Sequence, residues 1–108
     1  MSGDSRYRLI VTAMEIQGRC PVFKVGDKMV VDSPRIVVDE TDNVCIHALG
    51  CILSMIVPLS HGISFKVLGL STENGHKGFF RCLDPGTPYT NGGTVLFEIL
   101  REEKRSSP

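Results

Sequence analysis

Four cysteines and three histidines carry most of the metal-binding and nucleophilic potential of this 108-residue chain. Cys20 lies in the turn Gly18-Arg19-Cys20-Pro21. Cys45 opens an apolar stretch two residues ahead of His47, Cys51 follows one helical turn beyond His47, and Cys82 precedes Leu83-Asp84-Pro85-Gly86. Three thiolates with an imidazole or a fourth thiolate satisfy a tetrahedral zinc site, or the terminal ligands of a cubane iron–sulfur cluster. The spacing is not that of a standard site: there is no CxxC pair, and the gaps of 25, 6 and 31 residues fit no zinc or ferredoxin pattern. The competing reading is that these thiols are small buried hydrophobes and His47 a hydrogen-bonded core side chain.

The segment from Asp84 to Thr94 places three glycines and two prolines between two strand-like runs. It reads as a shaped connection rather than a flexible linker. Its Gly92-Gly93 amides could hold an anion, although the motif is neither a P-loop nor a dinucleotide fingerprint. Tyr89 and Thr90 could face the cysteines. No Ser/His/Asp set or spaced carboxylate pair stands out. Asp39, Glu40 and Asp42 read as a solvated, helix-capping cluster, and His61 and His76 as exposed loop residues.

These side chains need elements to position them. Tyr7–Ile16, Lys28–Val31 and Arg35–Val38 are rich in strand-favouring residues, with turns at Gly18 to Pro21 and at Ser33-Pro34. Thr41-Asp42-Asn43 offers capping side chains ahead of an apolar stretch, predicting a helix from about Val44 to Pro58. Cys45 then falls in its first turn, at the dipole end that favours anionic groups. On that helix His47, Gly50, Cys51, Ser54 and Pro58 share one narrow face, while Ile46, Leu49, Ile52, Leu53, Ile56 and Val57 cover the rest. A helix apolar nearly all round is expected to be buried on more than one side, its small stripe facing a strand, ligand or partner. Ser64–Leu70 is too brief a run for periodicity to assign. Lys77–Cys82 and Thr94–Leu100 alternate as strands, and Asn91-Gly92-Gly93 between them favours positive φ. Cys20, Cys45 and Cys82 thus all stand at element ends, where distant segments converge without breaking a ladder. The expected fold is α+β: a small, mostly antiparallel sheet or partial barrel in the order βββ-α-ββ, packed on one buried helix. One domain spans residues 6–101, with solvated tails at 1–5 and 102–108.

Hydrophobic residues make up 42% of the chain, enough for a core without disulfides. Acidic and basic side chains balance at 12 each, which argues against nucleic acid or an anionic membrane as partner. The opening MSGDSRYRLIV lacks the regions of a signal peptide, and the longest apolar run is too short to span a bilayer. A cytoplasmic protein, not integral to a membrane, is expected, with its cysteines serving as free thiols, ligands or catalytic groups.

Taken together, Gly18-Arg19-Cys20-Pro21-Val22-Phe23 with Val25-Gly26-Asp27, Cys45-Ile46-His47-Ala48-Leu49, Cys82-Leu83-Asp84-Pro85-Gly86 and Pro88-Tyr89-Thr90-Asn91-Gly92-Gly93-Thr94-Val95 resemble a family of small, uncharacterised cysteine-containing proteins of methanogenic archaea and other anaerobes. The resemblance covers about Val11 to Ile99. It rests on a CP turn, a CxHA helix start and a CxDPGxPYTxGGTV segment, which map onto Cys20, Cys45 with His47, and Cys82. Cys51 falls outside that pattern and is the weaker candidate for fourth ligand. The family supplies no activity, but its anaerobic setting implies an oxygen-sensitive iron–sulfur cluster, such as a 4Fe-4S centre, ahead of zinc. The leading expectation is therefore an electron-transfer or redox-responsive accessory subunit of a larger enzyme, not an enzyme on its own. The alternatives are a zinc-stabilised protein- or RNA-binding module, and a thiol enzyme using Cys45.

Overall fold

A computed structural model describes residues 5–104. The elements run β1 (Tyr7–Gln17), β2 (Lys28–Asp32), β3 (Arg35–Ile36), a 3-10 turn (Val38–Glu40), α1 (Ile46–Ser60), β4 (Lys77–Arg81) and β5 (Thr94–Glu103). All strands belong to one antiparallel sheet in the order β3-β2-β1-β5-β4. The α+β class and the βββ-α-ββ order are as the sequence predicts. The sheet is open, with β3 and β4 at its edges, rather than closed into a barrel.

Alternation sets the buried face. Tyr7, Leu9, Val11 and Ala13 of β1 and Val95, Phe97, Ile99 and Arg101 of β5 point into the core. Met29 and Val31 join them from β2, and α1 lies over this face against β1 and β4, contributing Ala48, Ile52, Ile56 and Leu59. Phe23 and Phe80 pack on Phe97 from either side, with ring centroids 5.2 and 4.8 Å away. The unassigned 64–70 segment forms turns that insert Phe65 into the core and return to the sheet where Phe79 N donates to Leu70 O.

The helix departs from expectation in three ways. It starts at Ile46, so Cys45 is its N-cap, and it runs to Ser60 with Pro58 in its last turn. Thr41, Asp42 and Asn43 do not cap it. Thr41 Oγ1 and Asp42 Oδ2 accept the amides of Val30 and Lys28, and Asn43 Nδ2 donates to Val22 O, so these side chains tie the preceding segment to β2 and the Cys20 loop. Of the acidic cluster, Glu40 pairs with Arg8 of β1. Finally, α1 is buried on one side only. With a single sheet beneath it, Ile46, Leu53 and Val57 remain 55–78% exposed, and His47, Gly50 and Ser54 face outward too.

The fold extends slightly past the expected boundaries. β5 continues through Glu102 and Glu103, Lys104 N donates to Arg6 O while Lys104 pairs with Asp32, and Ser5 is buried. The rest of the expected tails, 1–4 and 105–108, lies outside the described residues. Arg101 closes the end of the core away from the cysteines. Its Nη1 donates to Leu59 O and Ile63 O, its Nη2 to Gly75 O and its Nε to His76 Nδ1, with the guanidinium over the Tyr7 and Phe65 rings. Among the described residues no helix is long and apolar enough to cross a membrane.

Candidate metal centre

Three loops meet at the end of the sheet opposite Arg101. The first leaves β1 through Gly18 at φ +80° and carries Cys20, whose Sγ accepts the Phe23 amide at 3.4 Å. The second is the entry to α1. Cys45 is extended (φ −107°, ψ 129°), and its carbonyl accepts the Leu49 amide at 2.9 Å. No side chain caps this helix end and no acidic residue occupies its first turn, so the first amides and the positive end of the dipole are left uncompensated. The third leaves β4 at Cys82, whose amide still donates to Val95 O at 2.8 Å before the chain turns at Leu83.

A cavity of about 440 Å3 lies between these loops. Cys20, Cys45, His47 and Cys82 line it, together with Asp84, Gly92 and Gly93. The three cysteines singled out by their position at element ends therefore share one pocket, and none is cut off from the others by the core. All three are half-buried, whereas His47 is exposed on the pocket's rim rather than packed in the core. Cys51 is not part of the wall, one turn and a half along the helix from Cys45, although all four cysteines pack against the hydrophobic core. Among the described residues, no three His, Cys, Asp or Glu side chains stand close enough together to hold a single metal ion. The donors are spread around a cavity, not gathered to a point. A larger concavity, about 770 Å3, lies between the 69–77 loop and Phe79 and contains no thiol.

The glycine-rich connection acts differently from the expectation of positive φ. Neither Gly92 nor Gly93 takes a positive φ. They are glycines because of what touches them. A Cβ on Gly93 would lie 2.6–2.8 Å from the backbone of Arg19 and Cys20, and one on Gly92 would collide with the Asp84 carboxylate. Gly18 in turn packs on Gly92 and Gly93. The pair is a contact surface that presses the Cys20 loop and the Asp84 loop together, and the Gly92 amide is directed to Thr90 Oγ1 rather than left free for an anion. Tyr89 and Thr90 do not line the pocket; Tyr89 is 79% exposed, and Gly86 serves the turn at φ +77°.

Asp84 is fixed by its own loop. Its Oδ1 accepts the Thr90 hydroxyl and the Gly86 amide. The Thr90 hydroxyl above all, then the Gly86 amide and the nearby His47, hold its carboxyl below the ordinary aspartate range. An ionised carboxylate thus lines the same pocket as the imidazole. The sequence signal for it was the Asp-Pro-Gly turn, in which an aspartate commonly binds the amide two residues on. No family model matches the chain, nor does any curated protein or solved structure.

Proposed function

We propose that the pocket holds a thiolate-ligated metal centre, most readily an iron–sulfur cluster such as 4Fe-4S, with Cys20, Cys45, Cys82 and His47 as its ligands. The protein would then act in the cytoplasm as an electron-transfer or redox-responsive accessory subunit of a larger enzyme. The observation that carries this reading is the convergence of three cysteines from three separate loops on one cavity. The shape of the donor set supports a cluster over zinc. Zn–S bonds of about 2.3 Å bring tetrahedral sulfurs to roughly 4 Å of one another, whereas the terminal ligands of a cubane stand across the whole cluster. A pocket of about 440 Å3 lined by all four side chains leaves room for the second. Exposed apolar residues flank the donors, Val44 and Ile46 beside Cys45 and Leu83 beside Cys82, and supply a docking surface next to the centre.

Purification without oxygen, followed by iron, sulfide and zinc analysis and absorbance, tests the proposal. A brown protein with stoichiometric iron and sulfide supports it; one equivalent of zinc on colourless protein moves the reading to a zinc-stabilised module. A protein that binds neither metal refutes the centre. The second reading is then a thiol enzyme, favoured by Asp84 and His47 lining one pocket with Cys45. Cys45 would be the nucleophile, His47 its base and Asp84 the group orienting the imidazole. Rapid, selective alkylation of Cys45 identifies that case.

A further inference from the structure

Asp84 has one oxygen committed and one free. Oδ1 already accepts two hydrogen bonds, from Gly86 N at 2.9 Å and from the Thr90 hydroxyl. Oδ2 accepts none and pairs with no lysine or arginine among the described residues, and it lies against Gly92 on the wall of the pocket. The carboxylate is held from two sides. Two hydrogen bonds hold one side of it, and the other rests where only a glycine leaves room. His47 presents the reverse situation. It lines the same pocket, is exposed, and makes no side-chain hydrogen bond among the described residues. A charged acceptor with a vacant oxygen therefore lines the same pocket as an exposed imidazole.

We propose that Asp84 is a positioning residue: its Oδ2 accepts the ring N–H of His47, fixing the tautomer and turning the other nitrogen toward the thiols. A ligating histidine nearly always gives its second nitrogen's hydrogen to such an acceptor, which sets the ring's orientation and raises its basicity as a donor. The proposal rests on the reading above only in taking His47 as a donor to whatever the pocket holds. It also gives the connection after β4 a coherent design. Thr90 and Gly86 hold Asp84, Gly92 makes space for it, and Gly93 seats the Cys20 loop beside it.

Long-range 1H–15N NMR of the histidine rings tests this in the metal-free protein, at a pH where the imidazoles are neutral. His76 is an internal reference, since its Nδ1 accepts from Arg101 Nε and its hydrogen must sit on Nε2. In the native chain His47 should show one dominant tautomer. In Asp84→Asn, which keeps an oxygen for Gly86 and Thr90 but loses the carboxylate, His47 should relax to the tautomer mixture of a free imidazole while His61 and His76 stay unchanged. Thr90→Val, which keeps the carboxylate and loosens its hold, should fall between. A His47 ring with the same mixed tautomers in the native chain and in Asp84→Asn overturns the proposal. Iron and zinc analysis of the native protein as purified without oxygen keeps the two ideas apart: a fixed His47 tautomer in a chain that binds neither metal refutes the metal centre and leaves the Asp84 role standing.

Discussion

Substituting alanine at Gly93 and at Gly50 adds the same methyl group to two glycines of negative φ and should move stability in opposite directions. At Gly93 the new Cβ would lie 2.6 Å from Arg19 C, 2.7 Å from Cys20 N and 2.8 Å from Arg19 N. Carbon in good contact sits about 3.5–4.0 Å away, so each contact is short by roughly 1 Å. All three are backbone atoms, so no rotamer change relieves them and the Cys20 loop must move off β5. Overpacking of this kind costs about 1–3 kcal/mol, against which the lost freedom of the unfolded glycine returns roughly 0.4–1 kcal/mol. A net loss of about 1 kcal/mol lowers the melting temperature of a domain this size by roughly 4–8 °C. Gly50 lies mid-helix with nothing within 4 Å of an added Cβ, so Gly50→Ala should gain about 0.5–1 kcal/mol from propensity alone. Thermal and urea unfolding measure both. Because the Gly93 contact also seats Cys20, Gly93→Ala should speed alkylation of Cys20 in the folded protein while Gly50→Ala leaves it alone. A Gly93→Ala protein with native melting temperature and native Cys20 reactivity would refute the argument that these loops are held by glycine contact.

Arg101→Leu should destabilise by about 3 kcal/mol in urea unfolding, since it strips the donor from the fully buried carbonyl of Leu59 and removes a cation from the Tyr7 and Phe65 faces; a loss under about 1 kcal/mol would mean that water replaces it. Thr90→Val should raise the Asp84 carboxyl toward the ordinary aspartate range, read from its side-chain NMR titration. The sign follows from the lowered folded value: the charge-assisted bonds of Asp84 stabilise the loop above the unfolded aspartate range of about 3.9, and that contribution is lost as pH falls through the folded value, so acid should loosen the 84–92 loop less in Thr90→Val than in the native chain. On anaerobic protein, Cys45→Ala should abolish metal content and Cys51→Ala should keep it at a packing cost of about 1 kcal/mol; equal metal loss in the two would shift the site down the helix and promote Cys51 over His47.

The parts of the fold legible in the sequence were those written in period. Two-residue alternation in Thr94–Leu100 identified that strand and its inward Val95, Phe97 and Ile99, because it has one face on the core, and strand-favouring composition identified Tyr7–Ile16. Periodicity in α1 was less informative. Ile46, Leu53 and Val57 are as apolar as Ile52 and Ile56, and a single chain does not say whether an apolar face is covered by its own core or left for something else. The caps misled for a related reason. Thr41, Asp42 and Asn43 have the side chains a helix start uses, but the amides of Lys28 and Val30 and the carbonyl of Val22 were nearer partners once β2 and the Cys20 loop were in place.

The cysteines were found from position and the rest of the pocket was not, and the difference has a physical origin. An element end can be read locally, so Cys20, Cys45 and Cys82 could be nominated one at a time and a common site inferred from their number. The contribution of Gly92, Gly93 and Asp84 is made between segments more than 60 residues apart in the case of Arg19 with Gly93. Sequence reasoning gave the glycine pair its commonest local role, positive φ, and the structure gives it the role of close approach. Once that approach is made, the consequences follow in order. The Cys20 loop is seated on Gly93, just ahead of β5, the Asp84 carboxylate lies over Gly92, and its oxygen without a partner among the described residues is at the wall that Cys45, Cys82 and His47 also line. The arrangement of the pocket therefore depends on the absence of two side chains as much as on Cys20, Cys45, His47 and Cys82. Perturbing the glycines should disturb Cys20 and Asp84 before it disturbs Cys45, which is anchored independently by the helix it caps.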